Sequence, residues 1–132
     1  MIAVLDASSG WCGFIAASGH TSDTPPGIST LVLAPDLFVS EVCNALWKYR
    51  KAALLTREEA DLALSRSLDL PDRIEPAFAC YREAFEIAAK YQHPFNDALY
   101  LVIARRNNAL LLTLDRRLAT LAAKIEVAVL QA

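Results

Sequence analysis

The stretch HPFNDALYLVIARRNNALLLTLDRR, residues 93–117, decides the fold. DALYLVIARR (97–106) is an apolar run of helix length, with Pro94 before it and Asn107-Asn108 after it, the punctuation that opens and closes a helix. ALLLTL (109–114) is a shorter, continuously apolar run, as expected of a strand covered on both faces. An acid stands at the edge of each: Asp97 at the entrance of the helix, Asp115 at the exit of the strand. Each is either an ordinary helix-terminal acid, stabilising the dipole by about 0.3–1 kcal/mol, or part of a site.

Working outward, IAVL (2–5) reads as a buried strand ending at Asp6, and Ser8 or Ser9 can cap a helix running to Ala17. Residues 18–30 hold the turn formers of the only sizeable loop. A second strand is expected near Leu37–Val39, with Ser40 capping a helix over Glu41–Ala53. Thr56 and Glu59 form a capping box that opens a helix to about Leu68. A short strand near Arg73–Glu75 follows, and then Phe78, Tyr81, Phe85 and Ala88 recur at helical spacing through Tyr91. After the quoted stretch, Arg116–Lys124 reads as a helix and Glu126–Leu130 as a last strand. Apolar strands separated by helices predict a central, mainly parallel sheet covered on both faces. The expected architecture is a three-layer α/β/α sandwich forming one domain over residues 1–132.

Composition narrows the function classes. Apolar residues make up 55% of the chain and mean hydropathy is +0.28, which excludes a disordered chain and suggests that a partner covers some apolar surface. No run approaches the roughly 18 apolar residues of a membrane helix. MIAVLDASS lacks a basic n-region and reads as a strand, not a signal peptide. Cys12, Cys43 and Cys80 are odd in number and contain no C-x-x-C, predicting buried, reduced thiols in a cytoplasmic protein. His20 and His93 read as isolated, and a zinc site has no support.

Four of the fifteen acids stand apart by position. Asp6, Glu41 and Asp115 each follow an expected strand, and Asp97 opens a helix. In an open parallel sheet the strand-to-helix junctions share one edge, where sites form; topology alone puts Asp6, Glu41 and Asp115 there, and Asp97 joins them if its helix starts at that edge. Two carboxylates about 5 Å apart repel by roughly 3 kcal/mol at an effective dielectric of about 20, so a cluster of four calls for a positive charge among them. Oxygen-only ligands suit Mg²⁺ or Mn²⁺, and carboxylate-held ions of this kind serve phosphodiester hydrolysis. The chain contains no G-x-G-x-x-G, no G-x-x-x-x-G-K-[ST] and no G-x-S-x-G, which leaves nucleotide-binding loops and serine-hydrolase chemistry without support.

VLDASSGW, FVSEVCNALWK, FNDALYLVIARR and LLLTLDRRLA occur in the order and character of PIN-domain ribonucleases, and the chain resembles most the VapC toxins of VapBC toxin–antitoxin pairs. The resemblance spans nearly all of the sequence. It implies a metal-dependent endoribonuclease with Asp6, Glu41, Asp97 and Asp115 as catalytic, metal-binding carboxylates. It further implies that Ser8, Asn44 and Thr113 orient them from behind. Two features depart from the family pattern: residues 18–34 are longer and richer in proline, and HPFN stands where small residues or tyrosine are usual before Asp97. The fourth acid is the one that varies most in the family.

Setting the four clustered acids aside turns the net charge from −2 to +2. Arg105, Arg106, Arg116 and Arg117 then become candidate contacts to RNA phosphates, with single-stranded loops as the expected substrate form. Leu46, Trp47, Tyr49, Leu54, Leu55 and Leu62 lie on the helix pair 41–68; they are either core or, as the resemblance implies, part of a homodimer contact and a groove for an antitoxin segment. Two other readings stay open. One is a receiver-like phospho-acceptor module, weakened because Asp115-Arg116-Arg117 stands where a lysine is needed. The other is a PIN-like RNA-binding or assembly module without catalysis, which the four intact acids disfavour.

Overall fold

The computed structural model describes residues 1–7 and 30–131. The helix expected from Ser8 or Ser9 to Ala17, most of the long loop, Ser8, Cys12 and His20 lie outside the described residues. Among the described residues five strands form one sheet: β1 (Ile2–Leu5), β2 (Leu31–Pro35), β3 (Arg73–Glu75), β4 (Leu110–Thr113) and β5 (Val129–Gln131). Every pairing is parallel and the order is β3-β2-β1-β4-β5. The helices between them are α1 (Leu37–Lys51), α2 (Arg57–Leu68), α3 (Tyr81–Tyr91), α4 (Phe95–Arg106) and α5 (Arg116–Lys124), with a short 3₁₀ turn at Ala77–Ala79. This is the α/β/α sandwich that the alternation predicts.

Helix α4 is the centre of the molecule. Every residue from Ala98 to Ala104 is buried, and the helix packs against β1, β2 and β4. A helix apolar on all sides finds no stable place except inside, so DALYLVIA fixes its own position. Helix α2 opens as expected, with the Thr56 hydroxyl accepting from the Glu59 amide and the Glu59 carboxylate accepting from the Thr56 amide. Among the described residues no helix is long and apolar enough to cross a membrane.

The second strand differs from the expectation. It is LVLAP (31–35), and Leu37–Val39 already belongs to α1, so Ser40 lies inside the helix. Phe38, Val42 and Leu46 are the buried positions of α1; spaced by four, they put their apolar side chains on one helical face. Asp36 spends its carboxylate on the Ala77 amide at 3.1 Å, tying the start of α1 to the 3₁₀ turn.

Helix α3 also differs in which face is covered. It buries Ala84 and Ile87, while Phe78 and Phe85, the residues that carry the helical period in the sequence, are 87% and 63% exposed. Helix α3 packs against α4, and Phe78 and Phe85 remain outside. Cys43 is exposed, contrary to the expectation of buried thiols, whereas Cys80 is buried; both are free.

Candidate active site

The strand order reverses between β1 and β4: successive crossovers from β1 lead to β2 and β3 on one side, and β4 and β5 lie on the other. Where adjacent crossovers leave in opposite directions, the sheet edge opens into a crevice beyond the strand carboxyl ends. Asp6 follows β1 and Thr113 ends β4, so both stand at that point. The register sets Leu5 against Leu112, and the Asp6 amide continues the ladder by donating to the Leu112 carbonyl at 3.0 Å.

The Asp6 side chain is only 4% exposed, and Thr113 is fully buried. The Thr113 hydroxyl donates to Asp6 Oδ2 at 2.7 Å and accepts from the Asp115 amide at 2.9 Å. One hydroxyl therefore couples two of the four acids. Asp115 is also the N-cap of α5, its Oδ1 accepting from the amides of Arg117 and Leu118. That leaves Oδ2 outside the cap, so the ordinary and the functional readings of Asp115 are compatible.

Glu41 comes from the second turn of α1, with Asn44 and Lys48 following it at three and seven residues. This spacing places all three on one face of the helix. They line, together with Ala7, Ala45 and Tyr49, an open cavity of about 270 Å³. Asp97 lies in the first turn of α4. Its Oδ2 stands 2.9 Å from His93 Nε2, and the His93 side chain is 8% exposed. His93 is thus not isolated as expected: it stands four positions before Asp97, a spacing visible in the sequence.

The four acids act on one another. Burial pushes Asp6 up to about 6, reinforced by the charges of Asp97 and Asp115 and opposed by the Thr113 hydrogen bond. Burial pushes Glu41 up to about 7, with Asp6 and Asp97 adding to it. Asp97 is raised by burial and by Asp115, against the lowering effects of the His93 hydrogen bond and Arg117. Loss of solvation and crowding of like charge both favour the neutral carboxyl, so the crevice is short of positive charge.

Among the described residues no three acid, histidine or cysteine side chains converge tightly enough to hold a metal ion as they stand. In donor type and in charge the acids nevertheless fit a hard divalent cation, which oxygen ligands favour. The cationic side chains divide into two groups. Arg117 is close enough to act on Asp97, and Arg116 and Arg117 are both exposed at the start of α5. Arg105 and Arg106 lie at the far end of α4, both paired with Glu83, and Arg106 also donates to the Ala79 carbonyl. Arg105 faces the opposite edge of the sheet, beside Met1, Ile2 and Leu110. The structure does not bring these two arginines to the acids. Sequence reasoning passed over Lys48, which shares the helical face of Glu41, and Tyr100, which follows Asp97 by three residues.

The PIN domain family model matches residues 26–124. The chain belongs to the PIN domain family. Over 86 residues this PIN domain is 34% identical to Ribonuclease VapC3 of Pyrobaculum aerophilum, a match covering 64% of this chain and 66% of that protein, just under two thirds of its length. Among solved structures, PAE2754 from Pyrobaculum aerophilum has a TM-score of 0.64 at 23% identity, covering 92% of this chain and 87% of the other. VapBC2 from Rickettsia felis, bound to a DNA fragment from its promoter, has a TM-score of 0.61 at 15% identity, covering 99% and 98%. At these identities the two structures show a shared fold alone.

Proposed function

We propose that this PIN domain is a metal-dependent endoribonuclease that hydrolyses RNA phosphodiester bonds and acts as the toxin of a type II toxin–antitoxin pair in the cytoplasm. The observation that carries the reading is that Asp6, Glu41, Asp97 and Asp115, drawn from four separate elements, lie near enough for their charges to act on one another. A buried Asp6 and a half-buried Glu41 whose proton affinities are raised by desolvation and by neighbouring acids cost stability unless a cation neutralises them. Mg²⁺ or Mn²⁺ bound there would activate a water for attack and stabilise the leaving oxygen.

The chain's own residues have distinct parts in this reading. The four acids hold the cation; Thr113 fixes Asp6 and the backbone of Asp115, and His93 fixes Asp97. Asn44 extends the Glu41 face toward the cavity, and Ser8 is proposed from the resemblance alone. Arg116 and Arg117 supply phosphate contacts, with Lys48 at the cavity on the Glu41 side. Single-stranded RNA suits this arrangement because its backbone can enter a crevice that an A-form duplex cannot.

An antitoxin partner is supported by the similarity to Ribonuclease VapC3 and by the fold shared with VapBC2. The surface proposed for it is the shallow groove between α1 and α2, lined by Cys43, Leu46, Trp47, Arg50, Ala60 and Leu64. Trp47 is 56% exposed there; Leu62 is exposed on α2, and Leu54 in the turn between the two helices. Patches of this kind suit an amphipathic segment of a partner. A homodimer is proposed as the resting assembly, checked by light scattering.

The test is cleavage of single-stranded RNA by purified protein with Mg²⁺ or Mn²⁺. Cleavage that disappears in EDTA and in both Asp6→Ala and Asp97→Asn supports the assignment. Undiminished cleavage by folded samples of the two variants would remove it.

A further inference from the structure

Tyr100 is buried in a place where phenylalanine would serve as well for packing. It lies on α4 three residues after Asp97, on the same side of the helix, and has no exposed surface. Its neighbours along the helix, Ala98, Leu99, Leu101 and Val102, are all apolar. Yet its hydroxyl finds no hydrogen-bond partner among the described residues. Burial and the charges of Glu41, Asp6 and Asp97 raise its proton affinity, opposed by the Ala7 backbone, so the hydroxyl lies within reach of the three acids. A buried hydroxyl without a partner is unfavourable, and such groups in native proteins have a reason.

The carboxylates around it, once ionised, are acceptors only. A phenol is the complementary group, since it carries a proton to give. We propose that Tyr100 is a positioning residue of the carboxylate site, its hydroxyl donating to a water oxygen held among Asp6, Glu41 and Asp97 when a divalent cation is bound. The inference rests on the nuclease reading, and it assigns Tyr100 a part that neither a core position nor the acids themselves require. In the absence of a cation the hydroxyl stays without a partner; with one, it gains an acceptor and helps to hold it.

Tyr100→Phe removes this one oxygen and keeps the packing. Melting is measured in EDTA, and Mn²⁺ affinity is measured by the electron paramagnetic resonance signal of the free ion. In EDTA the variant is expected to be as stable as the wild type or more so, because nothing is lost from a hydroxyl without a partner. Its Mn²⁺ affinity is expected to fall by about 10–100-fold, as for other groups that orient metal ligands. Fluorotyrosine at position 100, which keeps the hydroxyl, restores the affinity. A Tyr100→Phe protein that binds Mn²⁺ within about twofold of the wild type overturns the inference while leaving the nuclease reading intact. A variant less stable than the wild type in EDTA overturns it too, since the hydroxyl would then have a partner inside the protein. Wild type that binds Mn²⁺ no better than Asp6→Asn overturns both.

Discussion

Asp6→Asn should make the metal-free protein more stable while abolishing its activity. Asn keeps the size of the side chain and an oxygen to accept the Thr113 hydroxyl; it removes only the charge. Asp6 is 4% exposed, so solvent screens that charge little. Its carboxyl is pushed from 3.8 to about 6, a difference of about 2 pH units, or about 3 kcal/mol. The sign follows from proton uptake. Between about pH 4 and pH 6 the unfolded chain has released the proton while the folded protein still holds it, so wild-type stability falls as pH rises through that window. Above it the full cost of about 3 kcal/mol is present; below about pH 4 it is absent.

Asn carries some desolvation cost of its own, so about 3 kcal/mol is the ceiling of the gain. For a domain of this size each kcal/mol moves the melting temperature by roughly 3–5 °C. Calorimetry in EDTA should therefore place Asp6→Asn up to about 10 °C above wild type near pH 8, and level with it near pH 4. Saturating Mg²⁺ should reverse the order near pH 8, because it stabilises only the protein that has the full set of acids. No gain near pH 8, or an equal gain near pH 4, would refute the claim that a buried charge at Asp6 works against the fold.

Three further outcomes are expected. Thr113→Val leaves Asp6 Oδ2 without its donor and the Asp115 amide without its acceptor; denaturant melts should show a loss of about 2–3 kcal/mol, and a loss under about half a kcal/mol would show that water replaces the hydroxyl. His93→Ala removes a group that lowers the proton affinity of Asp97, so the pH profile of RNA cleavage should move toward alkaline values with a fall of about 10–100-fold near pH 7; an unshifted profile would remove His93 from the site. Thr56→Ala breaks the capping box of α2 and should cost about 1 kcal/mol in thermal melts without changing the cleavage rate; a changed rate would couple α2 to the site.

Much of the architecture is legible from the periods of the sequence alone. DALYLVIA has no polar side to offer solvent, so it had to become the central helix. LLLT and IAVL are too short and too apolar for anything except inner strands. The capping box at Thr56 is a local device that needs no tertiary context. Asp6, Glu41 and Asp115 were legible as a group because parallel topology sends every strand-to-helix junction to one edge; Asp97 opens a helix that follows another helix, so its place beside them depends on how α4 packs. Other features were decided by competition between neighbours. LVLAPDLFV offers apolar residues to either a strand or a helix, and burial of Phe38, Val42 and Leu46 against the sheet assigns its second half to α1. The aromatic spacing of 78–88 marks one helical face, but Ala84 and Ile87 are the buried positions of α3.

The chemistry of the site divides along the same line. Residue type and order determined that acids stand at the carboxyl edge of a parallel sheet in a PIN domain. Only the tertiary structure decided that Thr113 bridges Asp6 and Asp115, that Arg105 and Arg106 turn to Glu83, and that the Tyr100 hydroxyl is buried without a partner among the described residues, within reach of the acids' charges. Sequence periodicity states which face of an element is buried. It does not state which groups from elements a hundred residues apart arrive within hydrogen-bonding distance, because that depends on strand order and register.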